Sequence, residues 1–343
     1  MEYRKVISFG GNSHVISLPK KWLDANSLKK GDLIALEENR GEIILSSSTH
    51  SGKKEPKSIE ISAENKNVDL LKAEIVAAYL NNYDTIEIFS DNLKAKVLEI
   101  KSIVRNLAGL EIMLHTTKRI VAKDLLNPSE ASIKSIIRRM DYITRVMVED
   151  TTECIDGIDH YEDINQRDMD VNRLYFLVIR VTRNAYKNPS MMKEYKTNSW
   201  ELLMERNIAT KIEKVADHQK RIARYIKALR LNTITRDELK KIHIAIKSSY
   251  LKAMDAYYKK DKTLAFEMNV LNKERIQMCN DFLIKHSEIS PLERNQSKIE
   301  IDIEKDPRYW TDIARIVENL KAMSASIKYI ARSVIDIDQS ESS

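Results

Sequence analysis

The residues of this chain best suited to chemistry are charged rather than nucleophilic. Residues 1–30 contain six Lys or Arg and only two acidic residues, whereas the whole 343-residue chain has a net charge of +6. A basic stretch of this density can neutralise phosphate groups, which supply much of the affinity of proteins for nucleic acids. The sequence therefore puts its strongest candidate binding surface near the N-terminus.

Residue patterns typical of enzymes are missing from the sequence. It contains no phosphate-binding glycine loop, no Ser/His/Asp ordering and no HExxH motif, and His160 and His243 have no partner at metal-ligand spacing. Nine acidic residues within 149–170 are typical of a solvated helix end and loop. His218, beside Asp217, is expected to be structural. We therefore predict that the chain is not an enzyme, and we disfavour a metal-dependent hydrolase.

Composition predicts a soluble, cytoplasmic protein without membrane insertion. Charged residues make up 31% of the chain, and no apolar run approaches the roughly 20 residues of a membrane span. The first residues, MEYRKV, lack the apolar core of a secretory signal. Cys154 and Cys279 are the only cysteines, which excludes a disulfide framework and indicates a reducing compartment.

The basic N-terminal stretch has a short, β-rich pattern. Strand-like residues 6–9 and 14–17 flank the turn Gly10–Ser13, and residues 33–37 and 42–46 flank Asn39-Arg40-Gly41. Pro19 is expected to open a helical turn between these hairpins. A unit of this size buries too small a core to stand alone, so pairing with a second copy is expected.

This stretch resembles the AbrB/MazE-type swapped-hairpin DNA-binding domain. The matching fragments, in order, are Arg4-Lys5-Val6, the Gly10–Ser13 turn, Leu18–Trp22, Leu28–Asp32 and Glu42–Leu45. The resemblance implies an interleaved homodimer whose basic face lies in a DNA groove. It implies DNA contacts from Arg4, Lys5, Lys20 and Lys21, with Ser13 and His14 near the groove. The alternative is a unit that only dimerises.

Behind this unit the chain divides by its glycines and prolines. Residues 48–57 are expected to be a linker, and 58–127 a small βαβαββ module for spacing or dimerisation. All seven glycines lie at or before Gly157, which favours helices for the rest of the chain. Apolar residues at three- and four-residue spacing predict helices over about 130–155, 164–187, 199–230, 235–260 and 261–286, and a sixth from Asp306-Pro307. Capping patterns begin at Asn198 and Thr235.

The helical region has the pattern of an internal duplication. Residues 213–222 match 318–327 at an offset of 105, and 168–174 match 272–278 at 104. A weak repeat of this period over three helices indicates two related three-helix bundles.

This pattern resembles the PhoU family of phosphate-uptake regulators, archaeal type, whose fold is a tandem pair of three-helix bundles. Glu213-x-x-x-Asp217 looks like the acidic motif of that family, and the helix from Asp168 looks like its partner. The resemblance implies a metal site, divalent or iron-type, held by Asp168, Glu213 and Asp217, and we expect at most one such ion per chain because the second repeat departs from the motif. Asn172 stands where a carboxylate is expected, and the second repeat has Asn272, Ile276 and Ala322. A solvated acidic face paired with Lys214 or Arg221 is the alternative.

The fold class predicted from these patterns is a multidomain α+β chain. It has a swapped-hairpin β domain (1–47), the small α/β module, bundles over 129–231 and 235–337, and a tail (338–343). The leading functional hypothesis is a homodimeric DNA-binding transcriptional regulator of phosphate uptake. The second hypothesis is an adaptor that restrains a phosphate transporter or its signalling kinase by protein contact.

Overall fold

The computed structural model describes residues 3–11, 13–39, 42–47, 56–126, 132–187, 191–192, 195, 197–288 and 307–339. The chain forms two compact units, Met1–Pro56 and Lys57–Ser343. The predicted linker falls mostly on residues outside the described ranges, as do most of the tail, Asn12, Arg40-Gly41 and Asp306.

The first unit contains two hairpins. β1 (Ile7–Phe9) pairs antiparallel with β2 (Ser13–Val15), and β3 (Ile34–Asn39) with β4 (Glu42–Ser47). Gly10 directly after β1 has a φ of +69°, which glycine adopts without the steric cost of a Cβ. The turn at this glycine was expected from the sequence.

The short helix α1 (Lys20–Ala25) connects the hairpins. Pro19 is its N-cap residue rather than its first helical residue, because a ψ of 129° keeps Pro19 extended. The Pro19 carbonyl accepts hydrogen bonds from the amides of Trp22 and Leu23 at 3.0 and 3.2 Å. The prediction of a Pro-started helix was therefore displaced by one residue.

The second unit begins with the small α/β module. It contains β5 (Ser58–Ser62), α2 (Val68–Leu80), β6 (Thr85–Phe89), α3 (Val97–Arg105), β7 (Leu110–His115) and β8 (Arg119–Asp124). The sheet order is β5-β6-β8-β7, with β5 and β6 parallel and the other pairs antiparallel. Leu93–Lys96 is a 3₁₀ turn leading into α3. One sheet face packs on α2 and α3 and buries alternate strand residues such as Ile61, Ile86, Ile88 and Ile120.

In the described part of the remaining chain, six long helices follow in two groups of three. Bundle 1 is α4 (Ile133–Ile155), α5 (Tyr161–Lys187) and α6 (Ser199–Ala228). Bundle 2 is α7 (Thr233–Lys259), α8 (Lys262–Glu288) and α9 (Pro307–Gln339). Most of the predicted helix ends lie within three residues of these bounds, because apolar periodicity is strong in helices of this length. None of the described helices is both long and apolar enough to cross a membrane.

The helix caps agree with the sequence at one position and differ at another. The Asn198 side chain accepts a hydrogen bond from the Glu201 amide at 2.9 Å, as its capping pattern predicts. The predicted cap Thr235 was wrong. α7 begins two residues earlier, where Asn232 accepts from the Thr235 amide at 2.8 Å, so Thr235 lies buried inside the first turn.

The two bundles share one hydrophobic core, and α6 packs along α9. Equivalent positions of the repeat occur in equivalent contacts. Lys220 donates a hydrogen bond to Asp168, and Ser324 donates one to Asn272. The partners in each pair are 52 residues apart, and the second pair lies 104 residues after the first. The third helix of each bundle is thus tied to the second at the same place.

A buried arginine joins the module to bundle 1. Arg180 on α5 is 1% exposed and donates to the Asp124 carboxylate at 2.5 Å and to the Asn82 side chain at 3.1 Å. Its guanidinium lies 4.5 Å from the centre of the Tyr79 ring, and Phe176 packs against the module core. These contacts connect the module to bundle 1 within the second compact unit.

Candidate nucleic-acid interface and acidic cluster

The six predicted DNA-binding residues lie on three successive pieces of the first unit. Arg4 and Lys5 precede β1, Ser13 and His14 begin β2, and Lys20 and Lys21 begin α1. All six are exposed. In the hairpin, Ser13 lies opposite Phe9 and His14 opposite Ser8. Cationic and hydroxyl donors with this exposure can bind phosphate oxygens, and the DNA interface stays a prediction.

The first unit also exposes large apolar side chains. Tyr3 is 85% exposed, Phe9 70%, Leu33 77% and Leu36 67%. The described residues of this unit include none that is buried. Apolar surface of this extent on so small a unit indicates a partner surface.

The acidic cluster is built from two helices of bundle 1. Asp168 lies on α5, and Glu213 and Asp217 lie one turn apart on α6. Lys220 Nζ lies 2.6 Å from Asp168 Oδ2 and 3.3 Å from Asp217 Oδ1. The structure therefore brings Asp168 and Asp217 together, but around a lysine.

The other charges of the cluster are also paired. Arg221 Nη2 lies 2.7 Å from Asp217 Oδ2, and Lys214 Nζ lies 3.3 Å from Glu213 Oε2. Asn172 donates to Asp168 at 3.1 Å, so it is a hydrogen-bond donor where a ligand was expected. The pairing of Glu213 with Lys214 and of Asp217 with Arg221 is the pairing that the alternative named, but the face is not solvated, because Asp168 is only 3% exposed.

Burial sets the protonation of this cluster. It raises the pKa of Asp168 against the opposing effect of Lys220, and it raises the pKa of Glu213, to which the charges of Asp217 and Asp168 add. Burial alone would lower the pKa of Lys220, but the hydrogen bonds and charges of Asp168 and Asp217 outweigh it and raise that pKa. Lys220 therefore remains an ammonium ion inside the cluster.

Two family models match separate parts of the chain. The model described as "Antidote-toxin recognition MazE, bacterial antitoxin" matches residues 7–58. Residues 137–226 match the PhoU domain. The second match runs from α4 to α6, which is bundle 1. Both resemblances inferred from the sequence are thereby confirmed.

A solved structure extends the likeness. The crystal structure of PhoU from Pseudomonas aeruginosa is similar to this chain with a TM-score of 0.50 at 14% identity, covering 62% of this chain and 98% of that chain. At this identity the likeness concerns the fold alone, and together with the hairpins and helices described above it confirms the predicted multidomain α+β fold class. None of the curated protein sequences compared with the chain matches it.

In the PhoU-matched bundle, Lys220 lies between two of the carboxylates that were predicted to hold a metal ion. Within the described residues, no group of three or more His, Cys, Asp or Glu has an arrangement that could hold one. Lys220 contributes the positive charge that a cation would bring to Asp168 and Asp217. In bundle 2 the equivalent pair is neutral, with Ser324 donating to Asn272 at 3.0 Å. The pair position thus serves as a helix tie in both bundles, and the metal site stays a prediction.

Protein purified without chelator is expected to hold at most one metal ion per chain, as elemental analysis would measure. Replacing Lys220 with Met removes the ammonium next to two carboxylates. We expect this change to strengthen Mn²⁺ binding by at least roughly tenfold in calorimetry, because the buried carboxylate of Asp168 then lacks its counter-ion. Lys241→Met, at an exposed lysine of α7, is the matched control and is expected to change nothing.

The same residues define the outcome against this expectation. Glu213→Ala with Asp217→Ala should abolish any bound metal while leaving the helical content measured by circular dichroism unchanged. Two or more metal ions per chain that survive this double change would show that the site is assigned to the wrong residues.

Sequence reasoning missed the buried polar residues between the bundles. His243 on α7 is fully buried, with its ring nitrogens 3.1 Å from Thr152 and 3.1 Å from Gln219, and burial lowers its pKa to about 3. His218 on α6, which was expected to be structural, is half-buried, and its Nδ1 lies 2.9 Å from Asn319 Oδ1 on α9. Glu205 is also buried, and it continues the apolar stripe of Leu202, Ala209 and Ile212. A carboxylate at that spacing was the signal that could have revealed it.

Proposed function

We propose that this chain is a DNA-binding regulator of phosphate homeostasis that acts as a cytoplasmic homodimer and catalyses no reaction. The observation that carries the proposal is the pairing of a basic, exposed N-terminal unit that matches the MazE model with a PhoU-matched bundle. The 62% of the chain that resembles PhoU of Pseudomonas aeruginosa accounts for nearly all of that protein. The remainder of this chain is therefore an addition to a PhoU-like body.

The proposed division of labour follows from the chemistry of the two parts. Arg4, Lys5, Lys20 and Lys21 supply charge for DNA phosphates, and Ser13 and His14 supply uncharged or titratable donors near the groove. The exposed apolar residues of the first unit support pairing with a second copy. The bundles would sense a state and bias the dimer, which requires different affinity of an effector for two arrangements.

Replacing Arg4 and Lys5 with Ala is expected to weaken DNA binding and reduce its salt dependence. The change removes up to four phosphate contacts per dimer, and the slope of log affinity against log salt should flatten by roughly 0.9 for each contact. The measurement is a salt titration by fluorescence anisotropy. The DNA would be a genomic fragment first captured by the purified full-length protein and identified by sequencing.

Lys72→Ala with Lys94→Ala provides the control, since both are exposed lysines of the second unit. If the slope of log affinity against log salt is the same for the wild type and the Arg4/Lys5 variant, these two residues do not contact DNA phosphates. Failure of the full-length protein to capture any DNA would instead favour an adaptor that binds a phosphate transporter or its signalling kinase.

A further inference from the structure

A cavity of about 140 Å³ lies where bundle 1 meets bundle 2. Its wall is formed by α4 and α6 of bundle 1 and by the ends of α7 and α9 of bundle 2. This volume is ample for one small ion together with water. Because four helices from both bundles contribute to the wall, occupancy of the cavity would tie the bundles together.

Two buried polar atoms on this wall have no hydrogen-bond partner in the described part of the chain. They are Glu205 Oε1 and the Tyr257 hydroxyl. Glu205 is only 3% exposed, and its nearest cation, Lys134 Nζ, lies 3.7 Å away, beyond hydrogen-bonding distance. Buried polar groups are nearly always satisfied, so these two atoms point to a ligand or to bound water.

The charges on the wall favour an anion. Lys134 and Arg138 equal the carboxylates Glu201 and Glu205 in number, and Lys260 also lies on the wall. Lys134 already donates to Glu201 at 2.8 Å, so an incoming cation would have to compete with it for the carboxylates. The Arg138 guanidinium lies 5.1 Å from the centre of the Tyr258 ring, and the described residues contain no carboxylate in ion-pair contact with it. Arg138 and the Tyr257 hydroxyl are therefore available donors.

We propose that this cavity binds a small tetrahedral oxyanion which, if the proposed function holds, is inorganic phosphate acting as the effector. Arg138 and Tyr257 donate hydrogen bonds to its oxygens, and Lys134 adds charge. The anion contacts α4 and α7 at once, so it favours the arrangement in which the two bundles are closed on each other.

Glu205 couples this binding to pH. Burial raises its pKa to about 7, opposed by Lys134 and assisted by the charge of Glu201. The other charged or titratable groups of the wall are Arg138 on α4 and Tyr257, Tyr258 and Lys260 at the end of α7, whereas α9 contributes only apolar residues. A protonated Glu205 donates a hydrogen bond to the anion and no longer repels it. Anion affinity therefore rises as pH falls through 7.

Calorimetric titration of the full-length protein with inorganic phosphate tests the proposal. We expect saturable binding, weakened by at least roughly tenfold in Tyr257→Phe and in Arg138→Gln. Tyr257→Phe removes a hydroxyl without a described partner, so its melting temperature should not fall. Tyr142→Phe and Arg139→Gln, at exposed neighbours on α4, should bind phosphate like the wild type.

A second measurement isolates the role of Glu205. Sulfate does not titrate near neutral pH, so any pH dependence of its affinity comes from the protein. Its affinity should rise as pH falls from about 8 to about 6, and this rise should vanish in Glu205→Gln. The proposal is overturned if phosphate does not bind at roughly 10 mM, if both cavity variants bind it normally, or if sulfate affinity shows no such rise. Binding of ethylammonium in place of phosphate, lost in Glu205→Gln, would also overturn it. Any of these results together with intact DNA binding would leave the proposed regulator standing.

Discussion

Removing Met1–Pro56 is expected to convert a dimer into a monomer. The two hairpins of this unit leave their large apolar side chains exposed, and a unit of this size cannot bury a core of its own. A second copy that covers these side chains removes apolar surface from water at roughly 25 cal/mol per Å². Lys57–Ser343 is a separate compact unit, so the truncated chain should remain folded. Light scattering after size exclusion would give the mass of each species.

A point change separates lost dimerisation from damage caused by truncation. Leu36→Asp replaces an apolar side chain of β3 that is 67% exposed with a charged one. We expect this change to weaken the full-length dimer. Leu98→Asp, at a residue of the second unit that is 80% exposed, is the matched control and should leave the mass unchanged. A truncated protein that is still dimeric would place the dimer contact in the module or the bundles.

The helices of this chain could be predicted because each carries several turns of apolar periodicity. Caps are set more locally, and two candidates can compete. Thr235-x-x-Glu238 had the pattern of a capping box, but Asn232 lies three residues upstream and its side chain accepts the Thr235 amide. Asn is as good an N-cap as Ser and better than Thr, so the helix starts earlier. Sequence periodicity could not distinguish these starts.

The acidic cluster shows where sequence reasoning stops. The spacing of Glu213 and Asp217 gives a shared helix face, but the rotation of α5 against α6 determines which charge meets Asp168. Lys220, three residues beyond Asp217, also points to that face and takes the position between the carboxylates. Buried single charges have a weaker signal still. Arg180 follows Leu177-Val178-Ile179 and precedes Val181, and such an interruption of an apolar run is the available sign of a buried charge.

Replacing Arg180 with Ala is expected to lower the free energy of unfolding by about 3–5 kcal/mol. The side chain of Asp124 is 4% exposed, so the change leaves a buried carboxylate without its counter-ion, and Asn82 and the face of the Tyr79 ring lose their partner. Urea unfolding followed by circular dichroism measures the loss. Arg183→Ala, at an exposed position of the same helix, should change stability by less than about 0.5 kcal/mol.

A double change then separates the destabilisation caused by an unpaired buried charge from the stabilisation that the ion pair itself provides. Arg180→Met with Asp124→Leu removes both charges and retains apolar volume, so it should recover most of the stability lost in Arg180→Ala. If Arg180→Ala instead costs as little as an exposed pair, the guanidinium is not buried as described. Arg180 connects α5 of the PhoU-matched bundle to β8 of the module. If the module unfolds in a separate step in Arg180→Ala but not in the wild type, the ion pair makes module and bundle unfold together. A structural change in bundle 1 could then be transmitted to the module through Arg180.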